Sequence, residues 1–190
     1  CCMEKSSINI ALAGFGTVGT GLQEILHNNR DWIKKRLGKD LNIRKILVKD
    51  LNKVRTSIPD PQTVFTNNPK DLTDDPEIDI VVELIGGKST AYDIIKQALQ
   101  SGKSVVTANK ALLAEKGPEL FKIASENNLG LFYEASVAGG IPIVQTLKES
   151  LAGNRIKSLT GILNGTANFI LSEMTHNQMD YEHALGEAQE

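Results

Sequence analysis

The stretch "LAGFGTVGTGL", residues 12–22, carries glycines at the G-x-G-x-x-G spacing that binds the pyrophosphate of a dinucleotide. Gly14 permits a tight turn, Gly16 lets the backbone approach a phosphate, and Gly19 allows the next helix to pack closely. The free amides at the start of that helix attract the anion. Because this spacing also arises by chance in a chain with 16 glycines, the flanking elements must decide whether the turn binds a nucleotide.

The segment "VKDLNKVR", residues 48–55, follows the second predicted strand, where the adenosine ribose of a dinucleotide is bound. An acidic side chain here binds the ribose 2′-hydroxyl of NAD, whereas a basic one accommodates the 2′-phosphate of NADP. Lys49 and Asp50 offer both choices, and Lys53 and Arg55 are close by. The sequence therefore predicts NADP or NAD as cofactor, with a slight preference for NADP.

Two further segments, "ELIGG" at 83–87 and "VVTANKALL" at 105–113, contain the ends of predicted strands. The glycines of the first are expected where backbone passes close to a ribose or nicotinamide, although a simple loop shows the same pattern. The second places Lys110 at the start of a helix, at the sheet edge where ligands of open α/β folds bind. Since an ammonium is unfavourable at a helix N-terminus, Lys110 is a candidate functional residue, with a solvated lysine as the alternative.

The segment "EASVAGGIPIV", residues 134–144, interrupts a strand with small residues before Pro142 begins a helix. Irregular backbone of this kind leaves carbonyl oxygens that a hard cation can bind. A hinge between two domains explains the same pattern, so both interpretations stay open. The histidines His27, His176 and His183 have neither metal-ligand spacing nor a nucleophilic partner, and we assign them to surface or packing roles.

The elements that must position these residues alternate between strands and helices. Strands are predicted at 7–13, 43–48, 78–85, 104–107 and 129–134, with at most one short strand near Val64 in the Pro-, Asn- and Asp-rich segment 50–75. Helices are predicted from Val18 onward, at 90–100 and at 111–127. This order predicts a Rossmann-type, doubly wound parallel α/β sheet, and it favours a nucleotide site at the glycine turn.

The pattern changes after residue 144. Predicted elements are a helix at 143–151, a strand at 156–163, a helix at 167–176 that "NGTAN" caps, and a last helix from Asp180. The strand has no later partner, and the chain stops within an apparent helix. We therefore expect a dinucleotide-binding domain at 1–144 and the beginning of an α+β substrate and dimerisation domain at 145–190, most of which is absent.

Composition excludes several classes of protein. With 41% hydrophobic residues, 23% charged residues and a net charge of -2, the chain has the composition of a globular protein and no excess of positive charge for nucleic acid. No apolar run is long enough to span a bilayer and no signal-peptide pattern is present, so we expect a cytoplasmic protein. Cys1 and Cys2 are adjacent, which suits neither a disulfide framework nor a zinc site.

Five segments, in this order, resemble the homoserine dehydrogenases: "AGFGTVG", "ELIGG", "TANKALLAEKG", "EASVAGGIPIV" and "GILNGTANFIL". The resemblance covers residues 8–190. It implies an oxidoreductase that interconverts L-homoserine and L-aspartate 4-semialdehyde by hydride transfer with NAD(P), in threonine and methionine biosynthesis. It also implies a homodimer formed through the second domain.

The resemblance assigns roles to individual residues. The cofactor phosphates and ribose would contact the turn residues Gly14, Phe15, Gly16, Thr17, Val18 and Gly19. The nicotinamide half would lie along Ile85, Gly86, Thr107 and Lys110. Lys110 matches a family lysine at the nicotinamide and substrate and is the candidate catalytic residue of this chain, in a reaction where a lysine supplies the proton to the forming alkoxide. The backbone carbonyls of Glu134, Val137, Gly139 and Ile141 would bind a sodium or potassium ion.

The sequence departs from the family at its end. Members continue beyond "ALGEAQE" into a segment with a substrate-binding glutamate, an aspartate and a second lysine that is the usual proton donor. We therefore expect cofactor binding without normal turnover from this chain. Two alternatives stay open: a related dehydrogenase of another amino acid or semialdehyde, which predicts turnover with a different substrate, and a non-catalytic nucleotide-sensing module, which predicts cofactor binding independent of Lys110.

Overall fold

The computed structural model describes residues 5–55, 60–162 and 164–189. Two compact units, Cys1–Gln145 and Thr146–Glu190, make up the chain, and each is described by itself. The terminal cysteines Cys1 and Cys2 lie outside the described residues. The assignment of 1–144 and 145–190 to a cofactor domain and a substrate domain stays a prediction.

The first unit is built on a parallel sheet of six strands. These are β1 (Ser7–Ala13), β2 (Asp40–Leu47), β3 (Val64–Thr66), β4 (Ile80–Glu83), β5 (Ser104–Thr107) and β6 (Leu131–Phe132). Their order is β3-β2-β1-β4-β5-β6, and every neighbouring pair is parallel. The strand order therefore reverses between β1 and β4, which confirms the predicted Rossmann-type sheet and locates its ligand-binding crevice.

Helices flank this sheet, and those that directly follow its longer strands begin at its carboxyl edge. They are α1 (Thr17–Asn28), α2 (Arg30–Leu37), α3 (Lys70–Thr73), α4 (Ser89–Gln100), α5 (Lys110–Glu126) and α6 (Ile143–Gln145), with a 3-10 turn at Glu134–Ser136. The predicted helices therefore form nearly as expected. Helix α3, a single turn that begins directly after Pro69, was not predicted.

Two apolar layers, one on each face of the sheet, hold the helices in place. Along β1, Ala11 and Ala13 belong to the layer that includes α4 and α5, whereas Ile10 and Leu12 belong to the layer that includes side chains of α1. Both sets of β1 side chains are buried, as in other parallel sheets covered on both faces. This two-sided burial explains why "INIALA" is an almost continuous apolar run.

Two predicted strands are shorter than expected. Strand β4 ends at Glu83 rather than at Ile85, because the amides of Ile85 and Gly86 donate to the Glu83 carboxylate instead of continuing the ladder. Strand β6 is only Leu131–Phe132, since the 3-10 turn begins at Glu134. The Glu83 side chain therefore ends β4, and the 3-10 turn ends β6.

The second unit contains helices α7 (Gly165–His176) and α8 (Tyr181–Glu187), and a π-helical stretch, Thr146–Ser150, follows α6. Asn164 accepts a hydrogen bond from the Ala167 amide at 2.9 Å and caps α7, as the sequence predicted. The predicted strand at 156–163 does not form: residues 155–162 have no regular secondary structure, and Leu163 lies outside the described residues. A strand requires a partner, and no described segment pairs with this one.

Membrane-spanning helices were also sought in the part of the chain that the structure describes. None of its helices combines the length and the apolar character that crossing a bilayer requires.

Candidate functional site

The glycine turn joins the end of β1 to the start of α1, as the sequence predicted. Gly14 has a φ of +106°, and a Cβ there would lie 2.9 Å from the carbonyl of Leu84 on the neighbouring strand end. A Cβ at Gly19 would lie 2.5 Å from the carbonyl oxygen of Gly14. Both positions therefore exclude every other residue type, and their glycines let strand, turn and helix approach one another.

The N-terminus of α1 opens onto free space. A Cβ built on Gly16 would meet no atom within 4 Å, and Gly16 itself is the N-cap residue, so it has no side chain to cap the helix. Thr17 and Val18 are exposed, and the first turn of α1 contains no acidic residue. The amides at this end are thus available to an anion that the turn could cradle.

An aromatic pair borders the turn on the β2 side. Phe15 packs edge-on against Phe65 of β3, with ring centroids 5.6 Å apart. The guanidinium of Arg55 lies 4.8 Å from the centre of the Phe65 ring. Its two terminal nitrogens donate to the carbonyls of Lys53 and Asp50, at 2.7 and 2.6 Å. A cation is therefore fixed near the end of β2, with further donors left on its planar fork.

The two residues predicted to read the ribose differ in their surroundings. The Asp50 carboxylate accepts a hydrogen bond from the Asn52 amide at 2.8 Å and so stabilises its own turn. Lys49 is exposed. The sequence placed Arg55 only close by, since nothing in its spacing shows that it stacks on Phe65.

Glu83 connects the two loops that follow β4 and β5. Its carboxylate is fully buried and accepts from the amides of Ile85 and Gly86, at 3.0 and 3.2 Å, and from the Thr107 hydroxyl at 2.7 Å. The sequence prediction included Ile85, Gly86 and Thr107 but not the carboxylate that holds them. An acidic residue at the end of the apolar run "DIVVE" was the available signal.

Asn109 makes the second connection between these loops. Its side-chain oxygen accepts from the Leu112 amide at 3.1 Å and caps α5, and its amide nitrogen donates to the Gly87 carbonyl at 2.6 Å. The Asn109 backbone amide donates to the Thr107 hydroxyl oxygen at 3.0 Å. Asn109 thus fixes both the start of α5 and the end of the "ELIGG" loop.

Lys110 is the first residue of α5, as predicted, and its side chain is exposed. It lines a cavity of about 210 Å³ at the carboxyl edge of the sheet, next to the N-terminus of α1. The lining residues are Val18, Glu83, Leu84, Gly86, Ala108, Asn109 and Lys110. The structure therefore brings together the glycine turn, the "ELIGG" loop and Lys110 around one space, which the sequence had placed only on the same sheet edge.

The segment 134–144 is irregular, as expected. The Glu134 carboxylate accepts from the amides of Val144 and Gln145, both at 3.0 Å, and so caps α6. The Glu134 and Ile141 carbonyls also accept backbone hydrogen bonds, from Val137 and Ile143. Among the residues that the structure describes, no group of three or more His, Cys, Asp or Glu side chains could hold a metal ion. Any cation here would be bound by carbonyl oxygens.

The fold and this crevice define an NAD-binding domain of the Rossmann type. Two family profiles match the chain: "Homoserine dehydrogenase, NAD binding domain" at residues 14–134 and "Homoserine dehydrogenase" at residues 142–190. The chain therefore belongs to the homoserine dehydrogenase family, which confirms the resemblance noted in the sequence.

Individual relatives agree with this assignment. The homoserine dehydrogenase of Bacillus subtilis is 45% identical over 184 residues, which are 97% of this chain and 42% of the relative. The crystal structure of a homoserine dehydrogenase from Thiobacillus denitrificans is 45% identical, with a TM-score of 0.87 over 96% of this chain and 42% of that one. A hyperthermophilic archaeal homoserine dehydrogenase in complex with NADPH is 30% identical, with a TM-score of 0.77 over 96% of this chain and 60% of that one. The chain thus spans about two-fifths of the length of the Bacillus relative.

Proposed function

We propose that this chain binds NADP or NAD at the carboxyl edge of its sheet. We propose further that the whole protein uses the bound cofactor to interconvert L-homoserine and L-aspartate 4-semialdehyde. The observation that carries the proposal is the single cavity shared by the glycine turn, the "ELIGG" loop and Lys110. The family supplies the substrate, and the NADPH complex of the archaeal relative supports the cofactor.

The residues present fit a dinucleotide. Gly16 leaves open space beside the α1 N-terminus, where the backbone amides would hold the pyrophosphate, with Phe15, Thr17 and Val18 around it. The loop at Ile85 and Gly86 would line the nicotinamide half, together with Thr107. When bound, the cofactor accepts or donates the hydride.

Lys110 would transfer the proton that accompanies the hydride. Its position as the first residue of α5 places an ammonium at the positive end of a helix, where it is electrostatically unfavourable. Among the described residues it makes no ion pair that would neutralise it. Such a lysine suits proton donation to a forming alkoxide, which typically contributes about 10²- to 10⁴-fold to a rate.

We favour NADP over NAD because of the charges that follow β2. Arg55 is held on Phe65 with donors to spare, and Lys49 is exposed nearby in the chain, so both can approach a 2′-phosphate. Asp50 is the competing NAD determinant, and its carboxylate already accepts from the Asn52 amide. The Arg55 guanidinium is thus better placed to bind a 2′-phosphate than the Asp50 carboxylate is to bind a 2′-hydroxyl.

A sodium or potassium ion would bind the carbonyl oxygens of Glu134, Val137, Gly139 and Ile141. The Glu134 carboxylate caps α6, and the Glu134 and Ile141 carbonyls each keep a second lone pair beside the backbone hydrogen bond that they accept. Ala138 and Gly140 have φ angles of +48° and +83°, which give the segment the irregular course that carbonyl ligation needs. Homodimer formation, a cytoplasmic location and a role in threonine and methionine biosynthesis stay predictions.

The decisive experiment measures two quantities on one sample of the 190-residue chain. Cofactor affinity is obtained by titrating NADPH and NADH, and turnover is followed as homoserine-dependent reduction of NADP and NAD. We expect binding of both cofactors, with NADPH tighter. Turnover would make Lys110 the leading proton donor, binding without turnover would limit this chain to holding the cofactor, and no binding would contradict the proposal.

A further inference from the structure

Glu83 is a buried negative charge at the centre of the candidate site. Glu83 is one of the residues that line the cavity next to Lys110, and it is 0% exposed, so its carboxylate is buried behind that cavity. Within the described ranges, no lysine, arginine or histidine pairs with it. Its partners are instead the neutral donors of Ile85, Gly86 and Thr107. The Glu83 carboxylate therefore lies in a region that water screens poorly.

The hydrogen-bond directions are consistent with this charge. The Thr107 hydroxyl, which accepts from the Asn109 amide at 3.0 Å, donates to Oε2 of Glu83 at 2.7 Å. The amides of Ile85 and Gly86 can only donate. Both Glu83 oxygens therefore act as acceptors, which is the hydrogen-bonding role of an ionised carboxylate.

We infer that Glu83 makes the site favour the oxidised over the reduced cofactor, which rests on the cofactor binding proposed above. The two redox forms differ at the nicotinamide ring, which is positively charged when oxidised and neutral when reduced. The buried Glu83 carboxylate stabilises the charged ring more than the neutral one, and it does so against the opposing charge of the exposed Lys110 ammonium on the same cavity. Glu83 would thus act as a positioning residue for two loops and as an electrostatic determinant of redox-state preference.

The test compares the affinities of the wild-type chain and of Glu83→Gln for NADP⁺ and NADPH. Glutamine keeps the side-chain length and one oxygen for the Ile85 and Gly86 amides, and its NH₂ can donate to the Thr107 oxygen. It removes only the charge. We expect the ratio of NADP⁺ affinity to NADPH affinity to fall about three- to tenfold. A purely structural role would weaken both forms equally and leave the ratio unchanged.

Two control variants separate charge from shape. Asp79→Asn removes a charge just before the opposite end of the same strand, where Asp79 pairs with Lys5 at 2.8 Å, and should leave the ratio within about twofold of wild type. Val81→Ala removes buried apolar packing from the same strand, β4, without changing any charge, so it should also leave the ratio within about twofold of wild type. A comparable fall in the ratio in either control would overturn the inference.

The outcomes also distinguish this inference from the proposed function. If wild type binds both forms and Glu83→Gln keeps the wild-type ratio, only the inference fails. If wild type binds neither form, both fail together. If Glu83→Gln does not fold, Glu83→Asp replaces it: the shorter carboxylate should weaken both affinities while keeping the ratio, and a ratio that falls with the charge retained would overturn the inference.

Discussion

Charged side chains at the two edges of the parallel sheet have different kinds of partner. At the amino edge, Asp79 pairs with Lys5 at 2.8 Å and accepts from the Asn9 amide, and Lys103 donates to the carbonyls of Asp75 and Ile78 at 2.6 and 3.1 Å. At the carboxyl edge, the described structure gives neither Lys110 nor Glu83 an opposite charge as partner. At the amino edge, Asp79 thus has a cationic partner and Lys103 has carbonyl partners, whereas Lys110 and Glu83 at the carboxyl edge have no opposite charge as partner among the described residues.

The same contrast appears in the backbone. At the amino edge, loop carbonyls are occupied by lysine side chains, as Lys103 shows. At the carboxyl edge, Gly16 leaves the α1 N-terminus open and Glu83 draws amides away from the ladder. Substitutions at the carboxyl edge should therefore alter binding and catalysis, and substitutions at the amino edge should alter stability.

Gly19→Val is expected to have the largest effect. Its side chain would begin 2.5 Å from the Gly14 carbonyl oxygen, so the turn or α1 must move and measurable NADPH binding should be abolished. The matched control is Gly21→Ala in the same helix, where a Cβ would meet no atom within 4 Å. That control should bind normally and gain about 0.5–1 kcal/mol in unfolding free energy. Normal binding by Gly19→Val would show that the turn does not hold the cofactor.

Lys110→Ala should separate chemistry from binding. In a form of the protein that turns over homoserine, kcat should fall by about 10²- to 10⁴-fold, while the Kd for NADPH changes less than about threefold. Lys122→Ala removes an exposed lysine from the same helix, one that lies 3.9 Å from Glu126, and should leave both quantities unchanged. A loss of affinity at unchanged saturating turnover would remove Lys110 from the proton-transfer role.

Arg55→Ala should weaken NADPH binding about tenfold and NADH binding less than about twofold, because only NADPH carries the 2′-phosphate. Isothermal titration with both cofactors measures the ratio. Arg44→Ala is the control, since Arg44 donates to Gln62 at 2.9 Å and was not placed in the site. Equal losses for the two cofactors in Arg55→Ala would indicate that Arg55 only supports Phe65.

The smallest effect concerns stability and comes from an ion pair away from the site. A hydrogen bond from Lys45, at 2.7 Å, lowers the pKa of Asp75 below 3.8. This stabilisation is present above pH 3.8 and is lost as pH falls through the lowered value. Asp75→Asn should cost about 1 kcal/mol at neutral pH and progressively less in acid, as measured by urea unfolding. Asp60→Asn removes the more exposed pair between Asp60 and Arg30 and should lower the free energy of unfolding by less.

The spacing of apolar residues was sufficient to predict most of the fold, because each strand and helix buries the face on which its apolar residues recur. It predicted β1, β5, the short strand at Val64 and the start of α5 close to their observed bounds. It was insufficient where a side chain or the absence of a partner decides the outcome. Glu83 ends β4 early. The segment 156–163 is apolar enough for a strand, but its described residues, 156–162, do not pair with any described segment.

The candidate site likewise contains residues that the sequence could predict and contacts that it could not. Glycines and the helix-start lysine have local signatures, so the turn and Lys110 could be placed from spacing alone. The Arg55–Phe65–Phe15 stack and the Glu83–Thr107 hydrogen bond join residues from different strands and loops. Such contacts depend on which strands are neighbours in the sheet. The alternation of strands and helices predicts a parallel α/β sheet but not the order of its strands.

Burial of Lys103 makes it a natural chemical reporter of sheet opening. Its side chain is 4% exposed, and desolvation lowers the pKa of its ammonium. An amine-acylating reagent should reach the ammonium when its hydrogen bonds to the Asp75 and Ile78 carbonyls, just before β4, open. Its labelling rate, compared with that of the exposed Lys122, therefore reports how often this part of the sheet opens in the folded protein, and cofactor bound at the opposite edge should slow that labelling.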